Sequence, residues 1–205
     1  MSTEKEKQLV EGATSIFMRF GIKSVNMDDV ARQLGVSKKT LYQFFNDKED
    51  LLGRVVDLHC SNEDNSISAI HSKKLPAIEE MFETMYWVIG ILSKIHPSVQ
   101  YDLEKYHPGL AVKMKASRGR VVHASMLSNL KKGVKEGVYR KDIDAEIITR
   151  IYLSRIDAFL DPEIFPFDQY KPVDVYKELF QYHIHGIASA KGIEQLEHIM
   201  KQKRK

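Results

Sequence analysis

The residues from Asn26 to Leu52 constrain the fold of this chain more than any other stretch. Asn26 can cap a helix, and Asp29 stands three residues later, as in a capping box. Apolar residues then follow at the spacing of one helix face, and Gly35 ends the pattern where a positive φ is wanted. Ser37 can cap a second helix. The stretch therefore predicts two short helices joined by a tight turn, followed by the start of another helix.

The second helix of this stretch has an apolar back and a polar front. At about 100° per residue, Leu41 and Phe45 point one way. The opposite face carries side chains that can read base edges or hold phosphates, namely Lys39, Thr40, Tyr42 and Gln43. This geometry fits a DNA major groove. It also fits a solvated helix face, because helix–turn–helix units occur in proteins that never bind DNA.

The exact residues of this region resemble the N-terminal DNA-binding domain of the TetR family of bacterial transcription regulators. The likeness runs from about residue 5 to residue 52. Its most specific parts are Gly21, Asp29-Val30-Ala31, Gly35-Val36-Ser37, Thr40-Leu41-Tyr42, Phe45 and Lys48-Glu49. Three residues depart from the family pattern: Val25 replaces the usual Thr, Lys39 the commonest Gly, and Phe44 a His or Tyr.

The resemblance implies a homodimeric, ligand-responsive transcription regulator, most often a repressor, which binds an inverted-repeat operator. It also implies that Lys48, at the start of the next helix, holds the DNA backbone. Geometry and resemblance together predict DNA contacts from Asn26, Ser37, Lys38, Lys39, Thr40, Tyr42, Gln43, Phe44 and Lys48. The main alternative function is a helical adaptor module whose helix–turn–helix packs on protein, and an enzyme is a weaker alternative.

Helical periodicity continues to the end of the chain, and no β pattern of useful length interrupts it. The predicted class is all-α, with a DNA-binding domain over residues 1–50 and a regulatory and dimerisation domain over 51–205. Helices are predicted over 4–20, 98–106, 110–136, 143–160, 173–190 and 192–202, with another after Pro76. A helix starting near Asp47 reaches Ser72 only if it continues through the polar residues 61–68, which the sequence leaves open.

Composition excludes several classes of protein. The 205 residues are 43% hydrophobic and 29% charged, and no apolar run approaches the ~20 residues that span a bilayer. The charged N-terminus lacks the apolar core of a signal peptide, so a cytoplasmic protein without a membrane partner is expected. The single cysteine, Cys60, cannot form an internal disulfide bond. The formal net charge of +3 does not by itself indicate a nucleic-acid partner.

Two groups of residues in the second half are candidates for regulation. Apolar pockets between helices are common ligand sites, and methionine and aromatic residues suggest one for a small apolar or amphipathic effector. The predicted lining is Met81, Met85, Tyr86, Tyr101, Met114, Met126, Tyr152 and Phe159. The helices over 143–160 and 173–190 are apolar on nearly all sides, which predicts a dimer interface. Its predicted residues are Ile148, Tyr152, Phe159, Tyr176, Leu179, Phe180, His183, Ile184 and Ile187.

Catalytic and metal-binding patterns are not evident in the sequence. The eight histidines include His183 and His185, which lie two apart and so point to different sides of a helix. No histidine or cysteine pair has the i, i+4 spacing of helical metal ligands. Cys60 has no recognisable base to activate it as a nucleophile. We therefore expect no enzyme, no metal site and no cofactor.

Overall fold

The computed structural model describes residues 3–156 and 158–202, and these residues confirm the predicted all-α class. An isolated antiparallel bridge joins Tyr139 and Ala188. A single 3₁₀ turn, Ala158–Leu160, follows the eighth helix in the described chain. The described helices are α1 (Glu4–Phe20), α2 (Met27–Gln33), α3 (Lys38–Tyr42), α4 (Lys48–Ser72), α5 (Ala77–Leu92), α6 (Ser98–Tyr106), α7 (Pro108–Glu136), α8 (Ala145–Ile156), α9 (Pro172–Ile187) and α10 (Ala190–Gln202).

The helices begin where the sequence supplies an acceptor for their first N–H groups. The Thr3 hydroxyl accepts from the Glu6 N–H at 3.2 Å and caps α1. The Asp144 carboxylate accepts from two N–H groups in the first turn of α8. Helix α5 follows Pro76, which has no side-chain acceptor, and the Glu136 carboxylate accepts from the Ala77 N–H at 2.9 Å instead. The first turn of α5 is thus capped by a residue 59 positions away.

The structure decides one helix boundary that the sequence left open and corrects another. Helix α4 is continuous through residues 61–68, because a helix needs apolar residues only on the face that it buries. Ile70 is buried near its end. The helix predicted over 143–160 ends instead at Ile156, and a short 3₁₀ turn follows over Ala158–Leu160. Residue 157 lies outside the described residues.

The chain forms two compact units. The first contains the residues up to Asp64 together with Lys94–Arg118, and the second contains Asn65–Ser93 and the residues from Gly119 onward. Helices α4 and α7 contribute to both, so this grouping does not follow the expected boundary at residue 50. The division into a DNA-binding domain over 1–50 and a regulatory domain over 51–205 stays a prediction.

The core of the first unit joins the helix–turn–helix to residues that lie much later in the chain. Leu41 and Phe45 are fully buried with Ala13 of α1 and Val30 of α2. Leu103 of α6 is buried in the same cluster, as are Val99 and Met114. Burying a leucine or phenylalanine side chain contributes ~1.5–3 kcal/mol, so α6 and the start of α7 help to stabilise the helix–turn–helix.

The core of the second unit packs α5, α9 and α10 with the later part of α7. The rings of Phe82 and Phe180 lie 5.2 Å apart between α5 and α9. Tyr139 packs directly on Gly133, where any Cβ atom would overlap the tyrosine ring. Close packing of this kind requires glycine at position 133. Within the described part of the chain, no helix combines the length and the apolar character needed to cross a membrane.

Candidate nucleic-acid interface

The first helix of the helix–turn–helix begins in the predicted capping box. The Asn26 side-chain oxygen accepts from the N–H groups of Asp28 and Asp29, both at 2.9 Å. The Asp29 carboxylate accepts in return from the Asn26 N–H at 3.1 Å. This prediction is confirmed. The Asn26 side chain is therefore committed to the cap, and only its exposed outer surface remains for a DNA contact.

The turn between the two helices depends on a single glycine. Gly35 has a φ of 65°, in the left-handed region that favours glycine. The Val36 N–H then donates to the Ala31 carbonyl at 3.0 Å, which closes the turn. Buried Val30 and Leu41 lie on either side of the turn in the sequence, so the two helices share one core.

Helix α3 is short and presents polar side chains above a buried base. The Ser37 hydroxyl accepts from the Thr40 N–H at 3.0 Å and caps the helix, as predicted. Leu41 and Phe45 are buried, whereas Phe44 is half-buried against the same core. The side chains that remain exposed are Lys38, Lys39, Tyr42 and Gln43.

The two neighbouring lysines of α3 differ in their partners. The Lys38 ammonium lies 2.8 Å from an Asp28 carboxylate oxygen, and this hydrogen bond raises the pKa of Lys38. It also lies 5.9 Å from the centre of the Tyr42 ring. Lys39 has no ion-pair partner among the residues that the structure describes. Lys39 is therefore the α3 cation best able to approach a base edge or a phosphate.

Lys48 points into the first unit. Its ammonium donates to the Ile22 carbonyl at 2.6 Å and lies 5.9 Å from the centre of the Phe17 ring. Burial lowers the pKa of Lys48, while the negative charges of Asp102 and Asp29 oppose that shift. A phosphate contact by Lys48 would have to replace the bond to Ile22, so the predicted contact stays a prediction.

The residues predicted to line the effector pocket belong to both units. Tyr101 and Met114 lie in the first, and the other six in the second. Tyr86 and Tyr101 are exposed, and the buried members are Met81, Met85, Met114, Met126, Tyr152 and Phe159. Their grouping around one small molecule stays a prediction. A cleft of about 520 Å³ occurs elsewhere in the second unit, lined by Lys73, Leu75, Glu79, Phe82, Glu83, Gln195, His198 and Ile199.

Most residues predicted for the dimer interface are buried within a single chain. Ile148, Leu179 and His183 are partly exposed. The other six leave little surface for a partner and belong to the core of the second unit: Tyr152, Phe159, Tyr176, Phe180, Ile184 and Ile187. The large apolar side chains that α8 and α9 do expose are Ile147, Ile151 and Tyr182. Periodicity did not separate the face of these helices that packs inward from the face that remains open.

His183 belongs to a buried aromatic group of the second unit. Its ring centre lies 4.8 Å from that of Tyr152. Among the described residues, the buried Nε2 atom of His183 has no hydrogen-bond partner. Burial lowers the pKa of His183 to about 4. The imidazole is therefore neutral at neutral pH.

Two buried carboxylates, one in each unit, accept long-range hydrogen bonds that no sequence pattern indicated. Asp102 of α6 accepts from the backbone N–H groups of Ile22 and Lys23, 80 and 79 residues away. Glu80 of α5 accepts from the side chains of Asn129 and Lys132. Neither contact follows a local spacing rule, so periodicity and capping signals could not find them.

Comparisons with known proteins point to one family. A family profile described as bacterial regulatory proteins, tetR family, matches residues 9–55. An uncharacterised HTH-type transcriptional regulator, YhgD of Bacillus subtilis, is 24% identical over 161 residues, which cover 76% of this chain and 84% of YhgD.

Solved structures share the fold over nearly the whole chain. The fatty acid degradation regulator FadR from Bacillus halodurans superposes with a TM-score of 0.64 at 17% identity, covering 91% of this chain and 97% of FadR. A γ-butyrolactone receptor described as ArpA-like gives a TM-score of 0.58 at 16% identity, covering 94% of this chain and 92% of the receptor.

Proposed function

We propose that this chain is a transcriptional regulator of the TetR family and that it binds operator DNA as a homodimer under the control of a small-molecule effector. A cytoplasmic location follows from that proposal. The observation that carries it is the exposed polar face of α3, held by the Ser37 cap above buried Leu41 and Phe45.

The proposed division of labour in α3 follows from the chemistry of its side chains. Lys39 and Gln43 are exposed, and both side chains carry donors that suit base edges in the major groove. Tyr42 and Thr40 carry hydroxyls, which suit phosphate oxygens. Lys38 is paired with Asp28 and would contribute mainly by neutralising charge at the interface.

The test is selection of genomic DNA fragments by the purified protein, followed by affinity measurements on the selected operator. Gln43→Ala should change the base preference at one position, by about 1–3 kcal/mol for a lost bidentate contact. Lys39→Ala should lower the affinity. If the Lys39 ammonium contacts a phosphate, the substitution should also reduce the dependence of the affinity on salt concentration by about one charge. Lys73→Ala, in the second unit, is the matched lysine control. Recovery of no preferred sequence at low salt would favour the alternative adaptor function.

We propose a dimer interface built from the exposed apolar side chains of α8 and α9. Ile147 and Ile151 are one helical turn apart on α8, and about half of each side chain is exposed. Tyr182 of α9 is 73% exposed. Exposed apolar groups of this size are typical of protein interfaces. Two-fold pairing would place two recognition helices about 34–36 Å apart on an inverted repeat.

Sedimentation tests this interface directly. Ile151→Glu should yield a monomer with weakened operator binding, because it places a charge on the apolar contact. Arg150→Glu also introduces a carboxylate, one position away and about 100° around the helix. It breaks the exposed ion pair with Glu146 but should remain a dimer. A parent chain that sediments as a monomer at micromolar concentration would refute the proposed dimer.

The proposed effector is a small apolar or amphipathic molecule. Two proteins of similar fold are described as a fatty acid degradation regulator and a γ-butyrolactone receptor. Buried methionines and aromatic residues of the second unit offer suitable contacts, among them Met81, Met85, Met126, Tyr152 and Phe159. An effector can release DNA only by binding the DNA-free state more tightly, with a typical coupling of about 1–3 kcal/mol.

A long-chain fatty acid and a γ-butyrolactone are suitable first probes for the effector. A true effector should raise the unfolding temperature and weaken operator binding at the same concentrations, since the two effects are linked. Met85→Ala should weaken both responses together. A probe that stabilises the protein without changing operator affinity is a ligand, but not an effector. Reporter expression with and without this chain distinguishes repression from activation.

A further inference from the structure

The loop between α1 and α2, residues 21–26, is fixed by a carboxylate from α6. Gly21 ends α1 with a φ of 83°, which turns the chain into this loop. The next two N–H groups, of Ile22 and Lys23, donate to the same Asp102 oxygen at 3.0 and 2.9 Å. The Ser98 hydroxyl donates to that oxygen at 3.2 Å. Asp102 is only 5% exposed, so these bonds replace the water that its charge has lost.

One peptide group of this loop lies between two side-chain charges. The peptide that joins Ile22 to Lys23 donates its N–H to Asp102, while its carbonyl accepts from the Lys48 ammonium at 2.6 Å. A peptide group is planar and polar, with the N–H and C=O on opposite sides. Asp102 and Lys48 therefore bind its two ends in the orientation that its dipole favours. Hydrogen bonds aligned in series polarise and strengthen one another.

The segment that carries Asp102, residues 94–106, also contacts the loop and the end of α1 through other residues. The His96 N–H, just before α6, donates to the Met18 carbonyl at 2.6 Å near the end of α1. The Lys23 ammonium lies 5.0 Å from the centre of the Tyr106 ring at the end of α6. Residues 94–106 therefore hold the backbone and the side chains of the loop within the first unit.

We propose that Asp102 is a positioning residue for DNA recognition, acting through the 22–23 peptide and Lys48. This inference rests on the proposed function. Lys23 is four residues from the start of α2, and Lys48 is the first residue of α4. The peptide therefore links the loop that precedes α2 to the helix that follows α3. In this structure the Lys48 ammonium binds the Ile22 carbonyl of that peptide.

The position of α3 depends on both connections. Binding side chains must be held within about 0.5 Å of their productive positions. Loss of the Asp102 bonds would leave the buried Ile22 N–H without an acceptor and would loosen the 22–23 peptide that Lys48 binds. The protein would stay folded on its large apolar core, but α3 would sample more orientations. The expected result is weaker operator binding by a folded dimer.

The test compares Asp102→Asn and Asp102→Ala with the parent on an operator selected from genomic DNA. Asp102→Ala should weaken binding by about tenfold or more, on the order of one hydrogen bond to a charged group. Asp102→Asn retains an acceptor oxygen and should fall between the two. Glu104→Ala is the control, because Glu104 is exposed on the same helix and bonded only to Gln100 among the described residues. Its affinity should match the parent within about twofold.

A second comparison separates positioning from a loss of folding. All affinities are measured where circular dichroism and sedimentation show folded dimers. Lys48→Met should weaken binding without changing the salt slope, and adding it to Asp102→Ala should cost little more, because both break one arrangement. Hydrogen exchange of the Ile22 and Lys23 amides should accelerate in Asp102→Ala but not in Glu104→Ala.

Three outcomes would overturn the inference. Equal operator affinity of Asp102→Ala and the parent would do so, as would fully additive losses in the double variant. A salt slope reduced by about one charge in Lys48→Met would show that Lys48 contacts phosphate instead. Failure of the proposed function is distinct, because the parent chain itself would then select no DNA sequence.

Discussion

Asp102 in the first unit and Glu80 in the second are both buried carboxylates, yet they bind their partners in different ways. Asp102 accepts mainly from backbone N–H groups of a loop. Glu80, only 4% exposed, accepts from the Asn129 side chain at 3.0 Å and the Lys132 ammonium at 2.8 Å. The first arrangement stabilises the backbone conformation of the loop and does not depend on the side chains of the loop. The second arrangement depends on which side chains stand at positions 129 and 132.

The Glu80 group is also the more extensive of the two. Asn129 donates to the Ala77 carbonyl at 2.9 Å as well as to Glu80, and it accepts from the Tyr139 hydroxyl at 2.9 Å. Burial raises the pKa of Tyr139, so the hydroxyl keeps its proton and remains a donor. Asn129 thus joins Ala77, Glu80 and Tyr139, while Lys132 binds Glu80 directly. A backbone-directed carboxylate has no such central partner, and substitution of the loop side chains should leave it intact.

Two other side chains, Glu63 and His183, each have a buried polar atom without a hydrogen-bond partner among the described residues. Glu63 of α4 is 7% exposed, and within the described residues its Oε2 atom accepts no hydrogen bond. Burial raises the pKa of Glu63, while the charge of Arg118 opposes the shift. The buried Nε2 of His183 is likewise without a partner in the described chain. Unpartnered buried groups cost stability, whereas Asp102 and Glu80 avoid that cost through their bonds.

The largest expected effect is that of Asn129→Leu. The substitution removes three hydrogen bonds and leaves Glu80, Tyr139 and the Ala77 carbonyl without them. We expect a loss of about 3–5 kcal/mol in the free energy of unfolding, measured by urea titration. Asn65→Leu, on the exposed surface of α4, is the matched control and should change stability by less than about 0.5 kcal/mol. A loss below about 1 kcal/mol for Asn129→Leu would contradict the central role of this residue.

The next effect is the pH dependence due to His183. Its pKa is about 4 in the folded chain and near 6.5 when unfolded, so the unfolded state binds more protons between these values. The stabilisation is complete above pH 6.5 and is lost as the pH falls towards 4, by up to about 3 kcal/mol. The free energy of unfolding measured across this range should vary less in His183→Gln. His185→Gln, which alters an exposed ring of the same helix, should retain the dependence of the parent.

A smaller loss of stability is expected for Asp102→Ala. Two backbone N–H groups lose their acceptor, but Lys23 is exposed and its amide can bond to water instead. The loss should be about 2 kcal/mol, clearly below that of Asn129→Leu in the same urea titration. Equal losses would mean that the backbone-directed carboxylate and the side-chain network contribute alike, which would remove the contrast drawn between them.

The smallest expected effect is a gain of stability in Glu63→Gln. Removing the charge of a buried carboxylate that lacks a full set of partners should raise the free energy of unfolding by about 1 kcal/mol at pH 7. The gain should shrink as the pH falls. Because the pKa of Glu63 is raised in the folded chain, the folded parent takes up a proton before the unfolded chain does, and its free energy of unfolding rises towards that of the variant. A destabilised Glu63→Gln at pH 7 would show that the ionised carboxylate is needed for packing with Arg118.

The sequence predicted local structure well and long-range polar contacts poorly. The Asn26 capping box and the Ser37 cap follow from residues three positions apart, and both are confirmed. The continuity of α4 could not be decided, because its polar residues 61–68 lack an apolar stripe. The end of α8 at Ile156 was also missed, since apolar residues continue beyond it.

The candidate site shows the same limit. Helical spacing correctly separated exposed Lys39 and Gln43 from buried Leu41. It could not show that the Lys48 ammonium turns inward to Ile22, because that choice depends on a carboxylate 54 positions further along. For a similar reason, residues on the face of α9 that packs into the core were predicted to lie in a dimer interface. Ile184 suits a core and an interface equally well until its neighbours are known.

The bonds from Asp102 to the loop backbone affect how this chain could be re-engineered. Chimeras that graft a new DNA-reading domain onto an old sensor are cut between contiguous segments, and residues 9–55 would be the obvious piece to exchange. Such a graft leaves Asp102 in the recipient, but a transplanted loop of the same shape still offers its amides. A donor with proline at position 22 or 23 could not, because proline has no N–H. Compatible donors are therefore recognised by loop length and by the absence of proline there, whatever side chains the loop carries.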